Sequence, residues 1–189
     1  CDDDGQVSPA HSIAAGLDTA FFQKYLPPGA RFIRIMPNSP AMIGEGASAL
    51  YAGPTATVVD RRLALKIFEA AGRAVLLPKE EWMDVVTALS GSGPAFVYEF
   101  IRALVSAGIR LGLPSTLGAP LILQTLIGSV HLAEQSRESL ETLIEKVASK
   151  GGTTEAGLAT LRNLGFTETV SAAIRAATNR ARELSSLSK

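Results

Sequence analysis

The chain of 189 residues carries 18 Lys and Arg against 18 Asp and Glu, and 47% of its residues are hydrophobic. The zero net charge argues against nucleic acid or a membrane surface as a partner, because both need a basic excess, and the apolar content excludes disorder. The single cysteine, Cys1, allows neither an intrachain disulfide nor a cysteine-cluster metal site. These totals predict a soluble globular protein of the cytoplasm, with one mid-sized domain or two small ones.

The first residues of the chain are acidic and lack the apolar region of a secretory signal. Residues 2–4 are all aspartate, and we interpret them as a solvated end, not as a metal site. Because the chain opens on Cys1 instead of methionine, we interpret this end as a cut edge. A targeting peptide ahead of Cys1 is left open by the sequence.

The next segments mix strand and helix signals. Residues 31–36 and 47–52 are short runs that stop at proline or glycine, and they predict two strands. Apolar residues at helical spacing predict a helix over residues 57–71 with Gly72 as its stop, and residues 73–77 predict a third strand. A strand, a helix and a strand within about 30 residues make a βαβ unit, which implies a parallel sheet.

After Pro78 every signal is helical. Residues 92–112 carry one narrow polar stripe, which predicts a helix buried over most of its circumference. The apolar stretch 117–130 is shorter than the ~20 residues that span a bilayer, so we expect a buried helix there and no membrane contact. Residues 140–147 and 167–187 predict two further helices, and the last of them carries a heptad seam with small residues at its centre.

Two almost fully apolar helices are difficult to enclose within about 110 helical residues. They either form a central hairpin covered by the other helices of the chain, or they pack against a second subunit. We favour the second account, an intertwined homodimer, because a small subunit lacks the interior volume.

Three segments are richer in glycine, serine, threonine and proline than a connection requires. Residues 36–40 follow a strand, where open α/β sheets bind ligands, and residues 87–95 join two helices. Residues 149–155 contain two glycines, and Thr153 or Thr154 is expected to cap the next helix. The amides of that helix start favour an anion, although an ordinary helix–helix turn fits the same residues.

Other features are discounted. Residues 44–49 match G-x-G-x-x-A but precede a strand-like segment, so they are not a dinucleotide fingerprint. His11 and His131 have no acidic partner or metal spacing, and Trp82 is interpreted as a packing residue. The sequence therefore supports neither a hydrolase triad nor a metal site.

Four segments, in this order, resemble the pyrroline-5-carboxylate reductase family. The matching segments are Ser12-Ile-Ala-Ala-Gly16, Arg34-Ile-Met-Pro-Asn38-Ser-Pro40, Val86-Thr-Ala-Leu-Ser-Gly-Ser-Gly-Pro-Ala95 and Ser149-Lys-Gly-Gly-Thr-Thr154. The resemblance implies a Rossmann-like α/β NAD(P)-binding domain, of which residues 1–78 are the C-terminal part. It further implies that residues 79–189 are an all-α substrate-binding domain that dimerises with a second subunit, as a homodimer or a larger homo-oligomer.

The resemblance also implies site residues. Those expected beside the nicotinamide end of the cofactor are Ala14, Ala15, Gly16, Met36, Pro37 and Asn38. Those expected to hold the substrate carboxylate are Ser149, Gly151, Gly152, Thr153 and Thr154. The catalytic residue is expected to be Thr87, whose hydroxyl would contact the ring nitrogen of the substrate.

The activity implied by the family is NAD(P)H-dependent reduction of 1-pyrroline-5-carboxylate to L-proline, with NADP favoured by the resemblance. A protonated cyclic imine needs only a hydride, so the short inventory of reactive side chains is sufficient. The chain departs from the family in two ways: Lys150 stands where a proline is frequent, and the Gly-rich pyrophosphate turn is absent from this sequence. A non-catalytic dimerisation module that binds proline is therefore the alternative, and another Rossmann-plus-helical dehydrogenase is a further one.

Overall fold

The computed structural model describes residues 9–187; Cys1 and residues 2–4 lie outside this range. The strands are β1 (Ala10–Ser12), β2 (Phe32–Met36), β3 (Gly46–Ala52) and β4 (Gly72–Leu76). The helices are α1 (Thr19–Gln23), α2 (Val58–Glu69), α3 (Met83–Val86), α4 (Gly93–Arg110), α5 (Ser115–Gln135), α6 (Leu140–Val147), α7 (Thr153–Asn163) and α8 (Phe166–Leu187). Two 3-10 turns (Ser39–Ile43, Glu80–Trp82) and a π-helical segment (Thr87–Gly91) lie between them.

The four strands form one mixed sheet in the order β1-β2-β3-β4. The pairs β1–β2 and β3–β4 are parallel, as the βαβ pattern predicts, but β2 and β3 are antiparallel. The expectation of a parallel sheet is therefore wrong for the central pair. Parallel neighbours need a long crossover such as α2, whereas residues 37–45 between β2 and β3 contain only a short 3-10 turn that reverses the chain.

The sheet is centred on β2 and β3, which supply the largest buried side chains. Ile33, Ile35 and Leu50 are almost fully buried, and Ala64 of α2 packs against them. The opposite face of α2 is exposed, with Val59 at 71% of its accessible surface. The apolar periodicity of this segment therefore marks a helix correctly but does not mark the face that meets the core.

Gly72 has a different role from the predicted helix stop. Helix α2 ends at Glu69 with Ala70 as its C-cap, and Gly72 begins β4 with a φ of +137°. A Cβ built on Gly72 would lie 2.1 Å from the carbonyl oxygen of Gly46, across the β3–β4 pair. Only glycine allows this approach of two backbones.

A capping box starts α2. The Thr57 side chain accepts a hydrogen bond from the Asp60 amide at 3.2 Å, and the Asp60 carboxylate accepts one from the Thr57 amide at 2.8 Å. The Arg31 guanidinium lies 3.1 Å from the other carboxylate oxygen. Burial opposes ionisation of Asp60, but the Thr57 hydrogen bonds and the charges of Arg31 and His11 outweigh it and hold the pKa of Asp60 below its ordinary value.

We predict that Asp60→Asn lowers the free energy of unfolding at pH 7 by about 1–3 kcal/mol, since the cap and the ion pair are weakened. A carboxyl with a depressed folded pKa stabilises the fold above its unfolded pKa, and this contribution is lost as the pH falls through the folded pKa. The deficit of the variant should therefore shrink below about pH 4. Urea unfolding between pH 3 and pH 7 measures this difference in the free energy of unfolding between the variant and the wild type. Glu69→Gln, an exposed change in the same helix, is the control, and equal stabilities of Asp60→Asn and wild type at pH 7 would contradict the prediction.

The described part of the chain divides into two compact units, residues 9–95 with 172–187 and residues 96–171. The first unit extends past the last strand because Glu80 anchors the following segment to the sheet. One Glu80 carboxylate oxygen accepts hydrogen bonds from the amide and hydroxyl of Thr19, at 2.7 and 2.9 Å, and from buried Arg34 at 3.3 Å. The end of α8 belongs to this unit as well, and the Ser185 hydroxyl lies 3.4 Å from an Asp84 carboxylate oxygen.

The two apolar helices are not enclosed by the single chain. No residue of α4 is buried, and Gly118 is the buried residue of α5. Exposed apolar side chains include Tyr98 at 61% and Val130 at 63% of their accessible surface. The alternative in which α4 and α5 form a hairpin covered by the other helices of the chain is therefore wrong for the described residues, and packing against a second subunit, which we favour, stays a prediction.

Helix α5 is also longer than its apolar stretch indicates. With 21 residues it is long and apolar enough to cross a membrane, judged by length and composition alone. Helices that line a protein core or a subunit interface have the same properties, so these criteria do not distinguish a membrane span from an interface helix.

Candidate functional site

The two segments expected beside a cofactor follow neighbouring parallel strands. Ser12, at the end of β1, is paired with Arg34 of β2, and the strands run in the same direction. Ala14–Gly16 follow the carboxyl end of β1, and Pro37 and Asn38 follow Met36 at the carboxyl end of β2. The fold thus brings both predicted segments to one edge of the sheet, the edge at which open α/β sheets bind ligands.

Within the first segment the three small residues differ in their surroundings. The Ala14 amide donates to the Ser12 hydroxyl at 3.2 Å, and Ala15 is exposed. Gly16 is buried with a φ of +76°, and a Cβ built on it would lie 3.1 Å from Cβ of Leu184 in α8. Gly16 is therefore required for packing against α8, whereas Ala15 presents the surface that a ligand can reach.

In the second segment the Asn38 side chain links three parts of the chain. Its Oδ1 accepts a hydrogen bond from the Ala47 amide at 2.9 Å, at the start of β3. Its Nδ2 lies 3.3 Å from the Ser90 carbonyl oxygen and 3.4 Å from the Ser90 hydroxyl. This amide group is engaged with protein atoms, so Asn38 positions the surrounding loops.

The segment that contains Thr87 is a single π-helical turn between α3 and α4. The Ser92 amide donates to the Thr87 carbonyl oxygen at 2.8 Å, which places one extra residue in this turn. A Cβ on Gly91 would lie 2.6 Å from Cε of Met36, so the absence of a side chain there admits the Met36 side chain. Such π turns are frequent at functional sites, and this one is held against residues 36–38 through Asn38 and Met36.

The Thr87 hydroxyl has a defined direction. Thr87 is half-buried, and its hydroxyl donates to the Met83 carbonyl oxygen at 2.8 Å. Because the hydroxyl proton is used in this bond, the oxygen lone pairs remain to accept a hydrogen bond from another group. Thr87 is thus arranged as an acceptor, which suits a ligand that carries an N–H.

The segment expected to hold a carboxylate lies in the second compact unit, between α6 and α7. Residues 149–152 form a β-turn in which the Gly152 amide donates to the Ser149 carbonyl oxygen at 2.9 Å. Gly151 has a φ of +72° at the third position, which is typical of a type II turn, and Lys150 occupies the second position. Proline favours that second position by its fixed φ, so Lys150 makes the turn less rigid than a Pro-Gly sequence would.

The cap of α7 differs from the prediction. Neither Thr153 nor Thr154 caps this helix; Gly152 is the N-cap, without a side-chain hydrogen bond, and Thr153 is the first helical residue. A Cβ on Gly152 would lie 2.5 Å from the Ser149 hydroxyl and 3.0 Å from its carbonyl oxygen, so the tight turn excludes a capping side chain. No side chain therefore caps the first amides of α7, and a helix start of this kind binds anions.

Glu155 is the residue that the sequence interpretation missed. Its Oε2 accepts a hydrogen bond from the Gly151 amide at 2.6 Å. Glu155 is the third residue of α7, the spacing at which an acidic side chain folds back over a helix start. The signal that could have found it is an acidic residue three positions after the N-cap.

The candidate segments, all within residues 9–187, contain neither a cluster of metal-ligating side chains nor a histidine. Within residues 9–187 no group of three His, Cys, Asp or Glu side chains is placed to hold a metal ion. His11 lies in β1 and His131 in α5, both exposed; the expectation that His11 has no acidic partner is wrong, because its charge acts on Asp60.

Comparisons with known sequences reveal relatives over almost the whole chain. Residues 80–184 match the family model for pyrroline-5-carboxylate reductase dimerisation. The pyrroline-5-carboxylate reductase of Synechocystis sp. is 42% identical over 173 residues, and pyrroline-5-carboxylate reductase 3 of Rattus norvegicus is 38% identical over 174 residues, each match covering 92% of this chain. The chain spans 64% and 63% of the lengths of these two curated relatives.

Solved structures give the same result for the fold. A crystal structure of Plasmodium falciparum pyrroline carboxylate reductase with NADP bound has a TM-score of 0.88 at 33% identity, and the match covers 94% of this chain and 71% of that one. A pyrroline-5-carboxylate reductase structure from Coxiella burnetii has a TM-score of 0.89 at 35% identity, covering 93% of this chain and 65% of that one. The fold is therefore the predicted one, a Rossmann-like α/β part followed by an all-helical part.

Proposed function

Because the chain belongs to the pyrroline-5-carboxylate reductase family, we propose that it serves the NAD(P)H-dependent reduction of 1-pyrroline-5-carboxylate to L-proline, the last step of proline synthesis. The observation that carries the proposal is the match over 92% of the chain, which includes both the sheet and the helical part. We further propose residues 1–78 as part of the NAD(P)-binding domain and residues 79–189 as the substrate-binding and dimerisation domain.

The cofactor is proposed to lie at the carboxyl edge of the sheet. The residues proposed to contact it are Ala14, Ala15, Gly16, Met36, Pro37 and Asn38. Residues 14–16 have small side chains and are partly exposed, and the Asn38 side chain is fixed by its hydrogen bond from the Ala47 amide. Both features fit a flat ring that approaches the backbone closely. We propose NADP as the physiological form, with support from the relative whose structure holds NADP.

The substrate carboxylate is proposed to bind at the start of α7. The residues proposed to hold it are Ser149, Gly151, Gly152, Thr153 and Thr154. The amides of Thr153 and Thr154 point out of an uncapped helix start, where the helix dipole favours a negative charge. The Thr154 hydroxyl can donate a further hydrogen bond to a carboxylate oxygen.

The bound nicotinamide would supply a hydride to the carbon of the protonated C=N bond. Thr87 is proposed to receive a hydrogen bond from the N–H of that protonated imine, because its own proton is already donated to Met83. An acceptor at this atom stabilises the protonated, electrophilic form of the substrate. The rest of the lowering of the activation barrier comes from alignment of the two reactants, which needs neither a strong base nor a metal.

The test is an assay of the 189-residue protein with NADPH or NADH. We expect oxidation of the cofactor that depends on added 1-pyrroline-5-carboxylate, with L-proline as the product. A folded protein that gives no such oxidation overturns the reductase proposal for this chain. If it still binds L-proline, the second candidate applies, a non-catalytic dimerisation module, which is favoured by the match of residues 80–184 to the dimerisation family.

A homodimer or a larger homo-oligomer is proposed as the working form, in the cytoplasm. The exposed apolar side chains of α4 and α5 lie within the region that matches the dimerisation family. Burial of such surface is the main driving force of stable association. Light scattering of the purified chain should show a mass of at least two subunits.

A further inference from the structure

The substrate-binding amides proposed above share their loop with a carboxylate that belongs to the protein itself. Oε2 of Glu155 is 2.6 Å from the Gly151 amide nitrogen, a short distance for such a bond. The group that this amide holds is chemically the same as the group that the substrate would bring. In this structure one amide of the loop is therefore already bonded to a carboxylate of the protein.

The position of Glu155 places its charge at the start of α7. Glu155 is the third residue of this helix, and its side chain folds back past Gly152 to reach Gly151. The uncapped amides of Thr153 and Thr154 lie between these two points in the chain. A substrate carboxylate bound to them would come close to the Glu155 carboxylate.

Two carboxylates in one small site repel each other. Lys150 is the cation in the turn itself, but its side chain is exposed and only weakly offsets this repulsion. Glu155 is exposed as well, so its side chain can rotate into solvent at small cost once another anion takes its place. The neutral amides of the turn then remain with the incoming carboxylate.

We infer that Glu155 is an internal competitor of the substrate carboxylate, displaced on binding, and that it thereby sets the affinity of this loop for pyrroline-5-carboxylate and proline. The inference rests on the proposed function, because it assumes that a ligand carboxylate binds at this loop. The opposite arrangement, in which Glu155 holds the turn in its binding conformation, makes the opposite prediction.

Calorimetric titration of the full chain with L-proline tests the inference. Glu155→Gln keeps an acceptor for the Gly151 amide but removes the charge, and we expect the Kd to fall by about 3- to 10-fold. Glu155→Ala should bind proline at least as tightly as Glu155→Gln. The matched control is Glu145→Gln, an exposed charge change in α6, for which the Kd should stay at the wild-type value.

Where turnover is measurable, the KM for pyrroline-5-carboxylate should fall in Glu155→Gln by the same factor while kcat stays near the wild-type value. Thermal unfolding of each variant checks that α7 is still formed. An unchanged or higher Kd in Glu155→Gln, with wild type binding proline, overturns the inference alone. If neither wild type nor any Glu155 variant binds proline, the proposed function fails together with the inference.

Discussion

Replacing Thr87 with valine is expected to lower the turnover of 1-pyrroline-5-carboxylate at least ~10-fold, which is the usual cost of losing one positioned hydrogen-bonding group at a reacting atom. Valine has nearly the same shape as threonine, so the packing of the π-helical segment is retained. What it lacks is the hydroxyl that donates to the Met83 carbonyl oxygen at 2.8 Å and is proposed to accept a hydrogen bond from the imine N–H. Steady-state kinetics with saturating cofactor give the measurement.

The matched variant is Thr87→Ser, which keeps the hydroxyl and should retain turnover within a few-fold of wild type. A stability measurement separates a chemical role from a structural one. The bond from Thr87 to Met83 is a side-chain bond to the backbone four residues earlier, and such bonds add little to helix stability. Slow turnover without a loss of stability thus places Thr87 in the chemistry, whereas unchanged kinetics in Thr87→Val would remove it from the mechanism.

The second large effect is expected in the fold. Gly72→Ala should lower the free energy of unfolding by more than about 3 kcal/mol, and the variant is expected to be largely unfolded if the wild type is of ordinary stability. The new Cβ would lie 2.1 Å from the Gly46 carbonyl oxygen and 2.4 Å from its amide nitrogen. Both are backbone atoms of the paired strand, so they cannot move without breaking the β3–β4 ladder.

Gly29→Ala is the control for Gly72→Ala. Gly29 also has a positive φ, +78°, but nothing lies within 4 Å of a Cβ built there. It should therefore show only the backbone cost of about 1–2 kcal/mol. Urea unfolding of both variants yields the comparison. Similar midpoints for Gly72→Ala and Gly29→Ala would show that the close approach of β3 and β4 is not a strict requirement.

The elements with clear boundaries could be predicted from the sequence. The strands β2, β3 and β4 and the helix α2 lie within one or two residues of the predicted ranges, because proline, glycine and a capping threonine bound them. The direction of β2 against β3 could not be predicted from periodicity. It depends on the length and shape of the connection over residues 37–45, which is a property of the folded loop.

The short elements at the start of the described chain were not predicted. Strand β1 has three residues, with exposed His11 in the middle, and it is a strand only because it pairs with β2. Helix α1 has five residues and is too short for a periodic signal. The Asp18 side chain caps the start of this helix, and Glu80, which is distant in sequence, accepts a hydrogen bond from the Thr19 amide. A contact between residues so far apart leaves no pattern in the local sequence.

In the candidate site, too, local features could be predicted from the sequence and long-range contacts could not. The motifs around Asn38, Thr87 and Gly151 could be identified from local glycine and proline patterns and from the resemblance to the family. The hydrogen bonds that join Asn38 to Ser90 connect residues far apart in sequence, and no spacing rule predicts them. The bond from Gly151 to Glu155 is local and the spacing of the acidic residue indicates it, but the conformation of the loop decides which amide the carboxylate reaches.

The contact of Gly16 with Leu184 also has a consequence for biosynthesis. The compact unit that contains the sheet includes residues from both ends of the described chain, and Gly16 is fully packed only when α8 is present. On the ribosome, the sheet segments therefore emerge long before their last partner. Closing so long a loop slows folding, so we expect the packing around Gly16 to be a late step in the folding of this unit.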